Sequence, residues 1–328
     1  MTKENINSCY SIYNSKKIMK QQPKMNSSFL QRLLTKGQKF DFSIANSNIP
    51  ISFIEDFKPS DISSKSKNNE KKTFWDEEKL YNESLSPLSQ LYFIIVALVK
   101  VSLIFFIPLF YLLSLTAAVV DNSIDSQVEQ LTNITIYWFI PCILYYTHYK
   151  MLNRGYFFLA PFLKSRLNFT LNRKTGMVTL YKKRNEVQFS HPFIEFDCVL
   201  MSAPTPQGHL NYSLMLVHRY HEYSTGVPLH NFVGSNQLVS EYALVWNMIQ
   251  RYMDTSQPMP DVLALEQSRD KDPVTAAHDK KTNRPPRYWR DMTDEQFAET
   301  VEKMREKQKT IPATGPTINI FAETPSHT

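Results

Sequence analysis

Three histidines lie close together in the second half of the chain, and an acidic residue stands beside them. His218 and His221 are three residues apart, His230 follows, and Glu222 is adjacent to His221. In a β-strand, side chains three residues apart point to opposite faces, which does not suit a shared metal ion. Only a turn between the two histidines would bring them to one side. We therefore expect no metal site here.

A pair of carboxylates is the second candidate for chemistry. Glu195 and Asp197 flank Phe196 in a stretch that we predict to be a strand, so both face the same side. Neighbouring carboxyl groups can act as general acid and base, although charged pairs of this kind are usually a solvated strand edge. We favour the solvated edge.

Other catalytic and cofactor-binding signatures are missing from the sequence. The chain contains no G-x-S-x-G and no H-E-x-x-H, and its seven glycines are too dispersed for a dinucleotide fingerprint or a P-loop. The three cysteines, Cys9, Cys142 and Cys198, are far apart and form no redox or metal-binding pair. An unpaired, odd cysteine count is typical of a reducing compartment. We expect a non-enzymatic protein without a cofactor.

Basic residues give a stronger argument. Lys164 and Arg166 precede one predicted strand, and Lys182, Lys183 and Arg184 end the next. In an antiparallel hairpin these two ends meet, so five cations converge at one end of the sheet. Near an anionic membrane surface each cation contributes about 1 kcal/mol. Two interpretations stay open: a lipid-docking patch that orients the sheet, or a solvated basic rim.

Two long uncharged stretches precede these strands. Residues 101–120 contain no charge in twenty positions, and residues 131–149 contain none in nineteen. A twenty-residue helix is about 30 Å long, which matches the hydrocarbon thickness of a bilayer. Pro108 and Pro141 should kink both helices at similar depth. The sequence therefore predicts a transmembrane helical hairpin with these two spans.

Lys100 divides a longer apolar region, because residues 91–99 are also apolar. Lys100 either marks the cytoplasmic interface or lies within the bilayer as a functional charge. A charge at the bilayer centre costs about 3 kcal/mol on insertion scales, so the interface interpretation is favoured.

Lysine and arginine counts orient the hairpin. Five lysines lie between residues 64 and 90, none in the loop 121–130, and six basic residues lie in 150–174. The positive-inside rule then places both termini in the cytoplasm and the acidic loop outside, as in a multi-pass membrane protein. Residues 1–60 contain no apolar core of the signal-peptide type.

The remaining chain is expected to form one folded domain between two disordered regions. Residues 1–88 are rich in Asn, Ser and Lys, and the low-complexity segment 61–72 is typical of a linker. Residues 153–256 contain alternating segments that predict an antiparallel β-meander, with a first turn at Gly176 and a closing C-terminal helix. This predicts an α+β fold that is pleckstrin-homology-like by analogy, beside the membrane α-helical hairpin.

The closing helix has an apolar face centred on Trp246, with Arg251 expected on its polar side. The tail 257–328 is expected to be flexible except for a short helix over 293–308. Thr293 and Gln296 have capping-box spacing at the start of that helix. Its apolar face, formed by Phe297, Val301 and Met304, is thin, so we expect it either to pack lightly or to be a candidate partner-binding surface.

Two stretches resemble an uncharacterised bacterial family. Residues 169–178 (FTLNRKTGMV) are similar to the first hairpin of that family, and residues 246–254 (WNMIQRYMD) to its closing helix. Its members have a two-helix inner-membrane hairpin followed by a cytoplasmic β-rich domain, and many are encoded near type VI secretion and toxin clusters. Gln250 departs from the basic residue expected there. The resemblance covers residues 90–260 and implies a fold and a genomic neighbourhood, with no catalytic residues.

These observations predict a non-enzymatic inner-membrane interaction protein, such as an accessory or immunity factor of a secretion or toxin system. Its expected partners are the lipid bilayer and a protein partner or second copy. Nucleic acid is not expected, because no base-stacking aromatic pattern occurs. The ten-residue loop 121–130 is far smaller than the roughly 800 Å² per partner of a stable interface, so it could not cap a periplasmic toxin. The alternatives are a membrane-tethered lipid- or signal-binding module and an enzyme of unknown type.

Overall fold

The structure is a computed structural model of the 328-residue chain. It describes residues 12–18, 20–24, 28–55, 58–60, 75–121, 124–182, 185–204, 210–229, 232 and 238–321. The chain divides into two compact units. We call Met1–Asn82 together with Asn168–Thr328 the sheet unit, and Glu83–Leu167 the helical unit.

Within the described ranges, eight strands form two four-stranded antiparallel sheets. The strands are β1 (Gln38–Phe40), β2 (Lys79–Leu85), β3 (Ser165–Asn172), β4 (Met177–Tyr181), β5 (Val187–Pro192), β6 (Phe196–Pro204), β7 (Leu210–His218) and β8 (Val227–Pro228). One sheet has the order β1-β6-β7-β8 and the other β2-β3-β4-β5. Together with the helices, this confirms an antiparallel α+β fold.

The helices are numbered in chain order. The sheet unit contains α1 (Phe29–Leu34), α2 (Ile51–Glu55), α7 (Val239–Met253), α8 (Pro273–Thr282) and α9 (Asp294–Gln308). The helical unit contains α3 (Pro87–Val101), α4 (Ile107–Asp121), α5 (Ile124–Ile134) and α6 (Ile140–Asn153). A π-helical turn, Ser102–Phe106, joins α3 to α4, and a second, Thr135–Phe139, joins α5 to α6.

The β3–β4 hairpin follows from local sequence alone. Phe169 and Leu171 on β3 and Val178 on β4 alternate with more exposed neighbours and are fully buried. The turn between the strands closes with Asn172 accepting a hydrogen bond from the Thr175 amide at 2.9 Å. The next residue, Gly176, has a φ of +69°, which side chains other than glycine rarely adopt. The predicted turn is therefore present.

Helix α7 is buried on more than its apolar face. The segment 41–48 lies along it, and the Trp246 indole donates to the Asp41 carbonyl at 2.8 Å. One turn further along the helix, Gln250 is fully buried and accepts from the Ser43 amide at 2.7 Å. The N-terminal region thus supplies partners to polar groups that the helix pattern alone would place in water.

The expectation of disordered terminal regions is therefore wrong for the described parts of them. Residues 28–55 contribute β1, which pairs with β6, and α2, whose Phe53 stacks on Trp75. The tail folds through residue 321 and buries Trp289 in the same core. Helix α9 is present with the predicted capping box. The patterns that suggested disorder reflect polar composition, whereas long-range hydrogen bonds hold these segments in place.

Arg173 directly follows β3 and connects this strand to the end of α7. Its side chain is 1% exposed. The guanidinium donates to the carbonyls of Tyr252, Asp254 at 2.8 Å and Gln257 at 3.0 Å, and it pairs with Asp272 at 3.2 Å. The last carbonyls of a helix lack intrahelical donors, so Arg173 satisfies the end of α7.

The helical unit is an antiparallel pair of arms, α3–α4 and α5–α6. The residue numbers of contacting side chains increase along one arm and decrease along the other: Tyr92 bonds to His148, and Ser102 bonds to Trp138. Each π-helical turn ends two residues before a proline, which has no amide hydrogen to bond within the helix. The Trp138 indole donates to Ser102 Oγ at 2.6 Å, so the two turns lie side by side.

Apolar side chains cover the outside of this pair. The exposed ones include Leu91, Ile94, Leu98, Ile104, Phe105, Phe106, Leu112, Leu115, Tyr137 and Leu144. Among the described residues, one helix, Pro87–Ala117, is long and apolar enough to cross a membrane. Only 17% of its most apolar window is buried within the protein. The second arm does not reach the same apolarity, so the predicted two spans are met in part.

Candidate functional site

A cluster of three histidines and one glutamate lies at a corner between the two sheets. His191 stands near the end of β5, and Glu195 closes the 3-10 turn that joins β5 to β6. His218 is the last residue of β7, and His221 follows in the next turn. We call these four residues the histidine cluster. The pairing of β6 with β7 and the link from β5 to β6 bring the four side chains together.

The distances within the histidine cluster are short. His218 Nε2 lies 3.1 Å from Glu195 Oε2, and His191 Nδ1 lies 4.0 Å from the same oxygen. The rings of His191 and His218 are 4.1 Å apart, and His221 is 5.0 Å from both. The chain leaves β7 at His218, so the turn brings His221 to the same side. The expectation that these two rings face apart is therefore wrong.

Sequence reasoning missed His191. It lies on a different strand from the other two histidines, and no local spacing links it to them. Its Nε2 is 2.7 Å from the Tyr223 hydroxyl, whose ring stacks on Phe189 at 4.2 Å. To find it, one would have to know that β5 lies beside the turn that follows β7 in the folded protein.

Burial and hydrogen bonding set the charges of the cluster. Burial, with added repulsion from His218 and His221, lowers the pKa of His191 from 6.5 to about 4, against the opposing pull of Glu195. The hydrogen bond from His218 holds the pKa of Glu195 below its ordinary value. At neutral pH His191 is uncharged and Glu195 is ionised.

The cluster contains the residue types of a metal site, but the donors and acceptors of its hydrogen bonds are not those of a metal-bound histidine. Ligand atoms of His191, Glu195 and His218 all lie within 4.8 Å of one another, and two histidines with a glutamate form many catalytic zinc sites. However, His218 Nδ1 accepts hydrogen bonds from the amides of Tyr220 at 3.2 Å and His221 at 2.8 Å. The ring proton must then be on Nε2, which donates to Glu195. A metal-bound histidine has the reverse arrangement, with its second nitrogen as a donor.

The same contacts restrict catalysis. The His218 side chain is fully buried, with one nitrogen bound to Glu195 and the other to backbone amides. It therefore cannot reach a substrate. The two carboxylates considered from the sequence also serve separate partners: Asp197 accepts from Arg219 at 2.8 Å and from Lys39 at 2.9 Å. The histidine cluster is best described as a hydrogen-bonded corner of the fold.

The turn after β7 is held from outside by the N-terminal segment. Glu222 accepts from the Ser28 amide at 2.9 Å and from Lys24 at 3.2 Å, and these bonds, that of Ser28 foremost, lower its pKa. The Tyr220 hydroxyl donates to the Gln22 carbonyl at 2.7 Å. Glu222 is therefore engaged with the N-terminal segment and takes no part in the histidine cluster.

Several predicted features fall outside the described residues: His230, Lys183, Arg184 and the linker 61–72. Of the predicted basic patch, Lys164 and Arg166 belong to the helical unit, and Lys182 directly follows β4 in the sheet unit. The convergence of five cations therefore stays a prediction.

The candidate partner-binding face on α9 lies inside the protein. Phe297 and Val301 are 4% and 3% exposed, and Met304 packs partly against the same core. The Phe297 ring meets Trp289 edge-on at 5.8 Å. The sequence left two alternatives for this thin face, packing within the fold or binding a partner, and the burial of Phe297 and Val301 in the core favours packing.

A cavity of about 680 Å³ lies between the 3-10 turn Leu263–Ser268 and α8. Its arginines already have partners: Arg269 binds Asp279 through two bonds of 2.6 and 2.7 Å, and Arg284 binds Asp261 through two bonds of 2.8 Å. These ion pairs connect the folded tail to itself, and the cavity offers a ligand little unpaired charge.

No family model, no curated protein and no solved structure matches this chain. The resemblance to a bacterial hairpin family stays a prediction from sequence. Function must therefore be argued from the geometry of the two units.

Proposed function

We propose that this chain is a non-enzymatic interaction protein anchored in a membrane, with its helical unit crossing the bilayer as a hairpin. The observation that carries the proposal is the outer surface of the helical unit. Leucines and phenylalanines such as Leu112 (58% exposed) and Phe105 (65% exposed) cover this surface. Each such side chain gains about 1.5–3 kcal/mol on leaving water, and soluble monomers rarely expose apolar patches of this extent.

The polar groups of the second arm support a second span. Two of them bond to the first arm: Thr135 to Tyr111, and Trp138 to Ser102. In a bilayer, polar side chains are retained where they bond across a helix pair, and small residues such as Ser102 allow close approach. The lower hydropathy of this arm therefore reflects inward-facing groups as well as lipid-facing ones.

The register of the two arms revises the predicted spans. Ser102 is level with Trp138, so Lys100 is level with Ile140, in the middle of the second predicted span. The spans 101–120 and 131–149 are thus out of step by about ten residues; residues 91–109 are level with 131–149. This favours the interpretation in which the Lys100 backbone lies within the bilayer. Its ammonium group extends toward the end of the hairpin at which α3 begins and sits 5.2 Å from the Tyr149 ring.

Charge supports a cytoplasmic location for both chain ends. No Asp or Glu occurs between Glu129 and Glu186, whereas basic residues follow α6 closely. By the positive-inside rule, both stretches of the sheet unit, which precede and follow the hairpin in the sequence, then lie in the cytoplasm. Its two sheets and closing helix support the pleckstrin-homology-like fold that we propose for the sheet unit. The proposed partners are the bilayer and a second protein or copy; the link to a secretion or toxin system rests on the sequence resemblance alone.

Topology reporters test this proposal. Fusions after residue 328 and within the loop 121–130 of the full chain should give opposite signals, cytoplasmic and periplasmic respectively. The membrane fraction should resist alkaline extraction. A matched pair sharpens the result: Ile104→Lys, within the revised first span, should weaken insertion, whereas Val187→Lys, at a similarly exposed apolar site in the sheet unit, should not. Two reporters on the same side would contradict the hairpin.

A further inference from the structure

An exposed aromatic loop follows directly after α6. Gly155 ends the helix with a φ of +100°, and its amide donates to the Leu152 carbonyl at 2.9 Å. The Tyr156 amide then reaches back to the Met151 carbonyl at 3.3 Å, as in a Schellman-type cap. This cap turns the chain sharply away from the helix axis. We call residues 156–158 the aromatic loop.

The aromatic loop presents its rings to the outside. Tyr156 is 47% exposed, Phe157 68% and Phe158 76%, and the rings of Tyr156 and Phe158 meet edge-on at 6.1 Å. Three consecutive exposed aromatics are uncommon on a surface that faces only water, because each leaves a large apolar area hydrated.

The residues after the loop hold it in this position. Ala160 is buried and Leu159 packs beside it, against a small core made of Tyr92, Val96 and Leu152. The Leu159 carbonyl lies 3.3 Å from His148 Nε2, and the Leu163 amide donates to the Ala160 carbonyl at 3.0 Å. The chain therefore buries the aliphatic side chains that follow the loop and leaves its aromatic rings outside.

Charge and position identify what the rings would contact. Lys150 and Arg154 precede the loop and Lys164 follows it, with no acidic residue between Glu129 and Glu186. Aromatic rings beside lysine and arginine are the combination that favours the boundary between lipid headgroups and acyl chains, above all in an anionic leaflet. The last turns of α6 already show it, since Lys150 lies 5.5 Å above the Tyr146 ring.

We propose that the aromatic loop inserts into the headgroup–acyl boundary of an anionic leaflet and fixes the depth of the hairpin at its cytoplasmic end. This inference rests on the proposed function, because it requires the hairpin to be in a bilayer. Phe157 and Phe158 enter the boundary, and Arg154 and Lys164 bind lipid phosphates beside them. The loop then sets the interface at the end of α6, which is the level that leaves Lys100 within the bilayer.

Fluorescent labelling of the full chain tests this inference. The three native cysteines are changed to serine, and an environment-sensitive probe is placed at Phe158→Cys in vesicles of phosphatidylcholine with or without phosphatidylglycerol. We expect spin-labelled lipid to quench the probe, and iodide to quench it at least about threefold less than the control Val187→Cys on the sheet unit. Removing phosphatidylglycerol or introducing Arg154→Glu should increase iodide quenching at Phe158→Cys.

A second labelled position separates this inference from the proposed function. Ile104→Cys, at an exposed site within the first span, reports the hairpin itself and should be quenched by lipid in either case. If Ile104→Cys is quenched by lipid but Phe158→Cys responds to iodide like Val187→Cys, the loop inference is wrong and the hairpin stands. If neither position is quenched by lipid, both proposals fail. Protection of Phe158→Cys that disappears on dilution into monomers, without lipid quenching, would overturn the inference in favour of a second copy as the occupant.

Discussion

The two units of this protein place opposite kinds of side chain in their interiors and on their surfaces. The sheet unit buries polar groups fully, among them Arg173, Gln250 and Asp254, and gives each of them hydrogen-bond partners. The helical unit exposes Phe105 and Leu112 and has only a small core. In water a core is built from apolar groups, with polar groups retained only where they are paired. A bilayer instead favours apolar side chains on the outer surface, and it requires that the backbone groups be hydrogen-bonded within the helices.

The same residue type should therefore affect folding in the sheet unit and membrane insertion in the helical unit. An aromatic side chain in the sheet unit contributes through packing inside the chain. One on the helical unit contributes through the medium around it. Matched substitutions in the two units, measured separately for folding and for insertion, test this difference.

The largest effect should come from Trp246. Its ring is fully buried, lies 5.2 Å from Phe42 and 5.5 Å from Phe193, and its indole binds the Asp41 carbonyl. Trp246→Ala should cost about 3–5 kcal/mol, a large part of the 5–15 kcal/mol typical of a domain. Urea unfolding of the full chain in detergent measures it, with limited proteolysis as a second readout. Phe110→Ala, on the 48% exposed Phe110 of the helical unit, is the control and should leave this transition unchanged.

Arg173 should be nearly as important. Arg173→Ala removes the cationic partner of Asp272 and the donor to the carbonyls at the end of α7, and breaking a buried ion pair costs about 3 kcal/mol. The neighbouring Lys174 provides the control: it is exposed, pairs with Glu78 at the surface, and Lys174→Ala should change nothing measurable. Equal effects of the two changes would mean that Arg173 is not the capping group of α7.

The sequence predicted the elements that depend on local periodicity. The alternation in β3 and β4, the Gly176 turn, the apolar face of α7 and the capping box of α9 are all signals carried by neighbouring residues. These signals place Trp246 correctly in the core.

The missed features depend on contacts between distant segments. Arg251 was expected on the polar side of α7, yet it donates to the carbonyls of Asn46 and Pro258, both at 3.1 Å, and burial lowers its pKa. His191 joins its cluster through sheet pairing, and Phe297 is covered by the folded tail. A polar residue at a polar helical position gives no signal that a carbonyl 200 residues away will bind it.

Lys100 tests the register of the helical unit. Lysine can extend to the membrane interface from within the bilayer, and its ammonium group does lie against the Tyr149 ring, whereas aspartate is too short to do so. Lys100→Asp should reduce insertion of the first arm by about 2–3 kcal/mol in a translocation assay, while Lys100→Leu should match or exceed the wild type. If both variants insert like the wild type, Lys100 marks the interface, as first expected from the sequence.

The smallest effect should be an acid sensitivity of the sheet unit that depends on His191. The pKa of His191 is about 4 in the folded protein and 6.5 ordinarily, so the unfolded chain binds more protons between these values. Stability should therefore fall as the pH falls from 6.5 to about 4. The groups facing His191 are Glu195, His218, His221 and Tyr223. Glu195 adds to the loss at lower pH, because its pKa is also lowered and its protonation disfavours the folded state.

The size of this effect is limited by solvent. A shift of this extent would correspond to about 3 kcal/mol for a fully buried group, but His191 is partly exposed, so about 1 kcal/mol is expected. His191→Gln retains a hydrogen-bonding group for Tyr223 and removes the titration, so the fall in urea midpoint between pH 6.5 and 4 should become shallower. Val187→Ala, on the same strand and without a titrating group, should retain the wild-type slope. Parallel pH profiles for His191→Gln and the wild type would show that protonation of the histidine cluster does not limit the stability of the sheet unit.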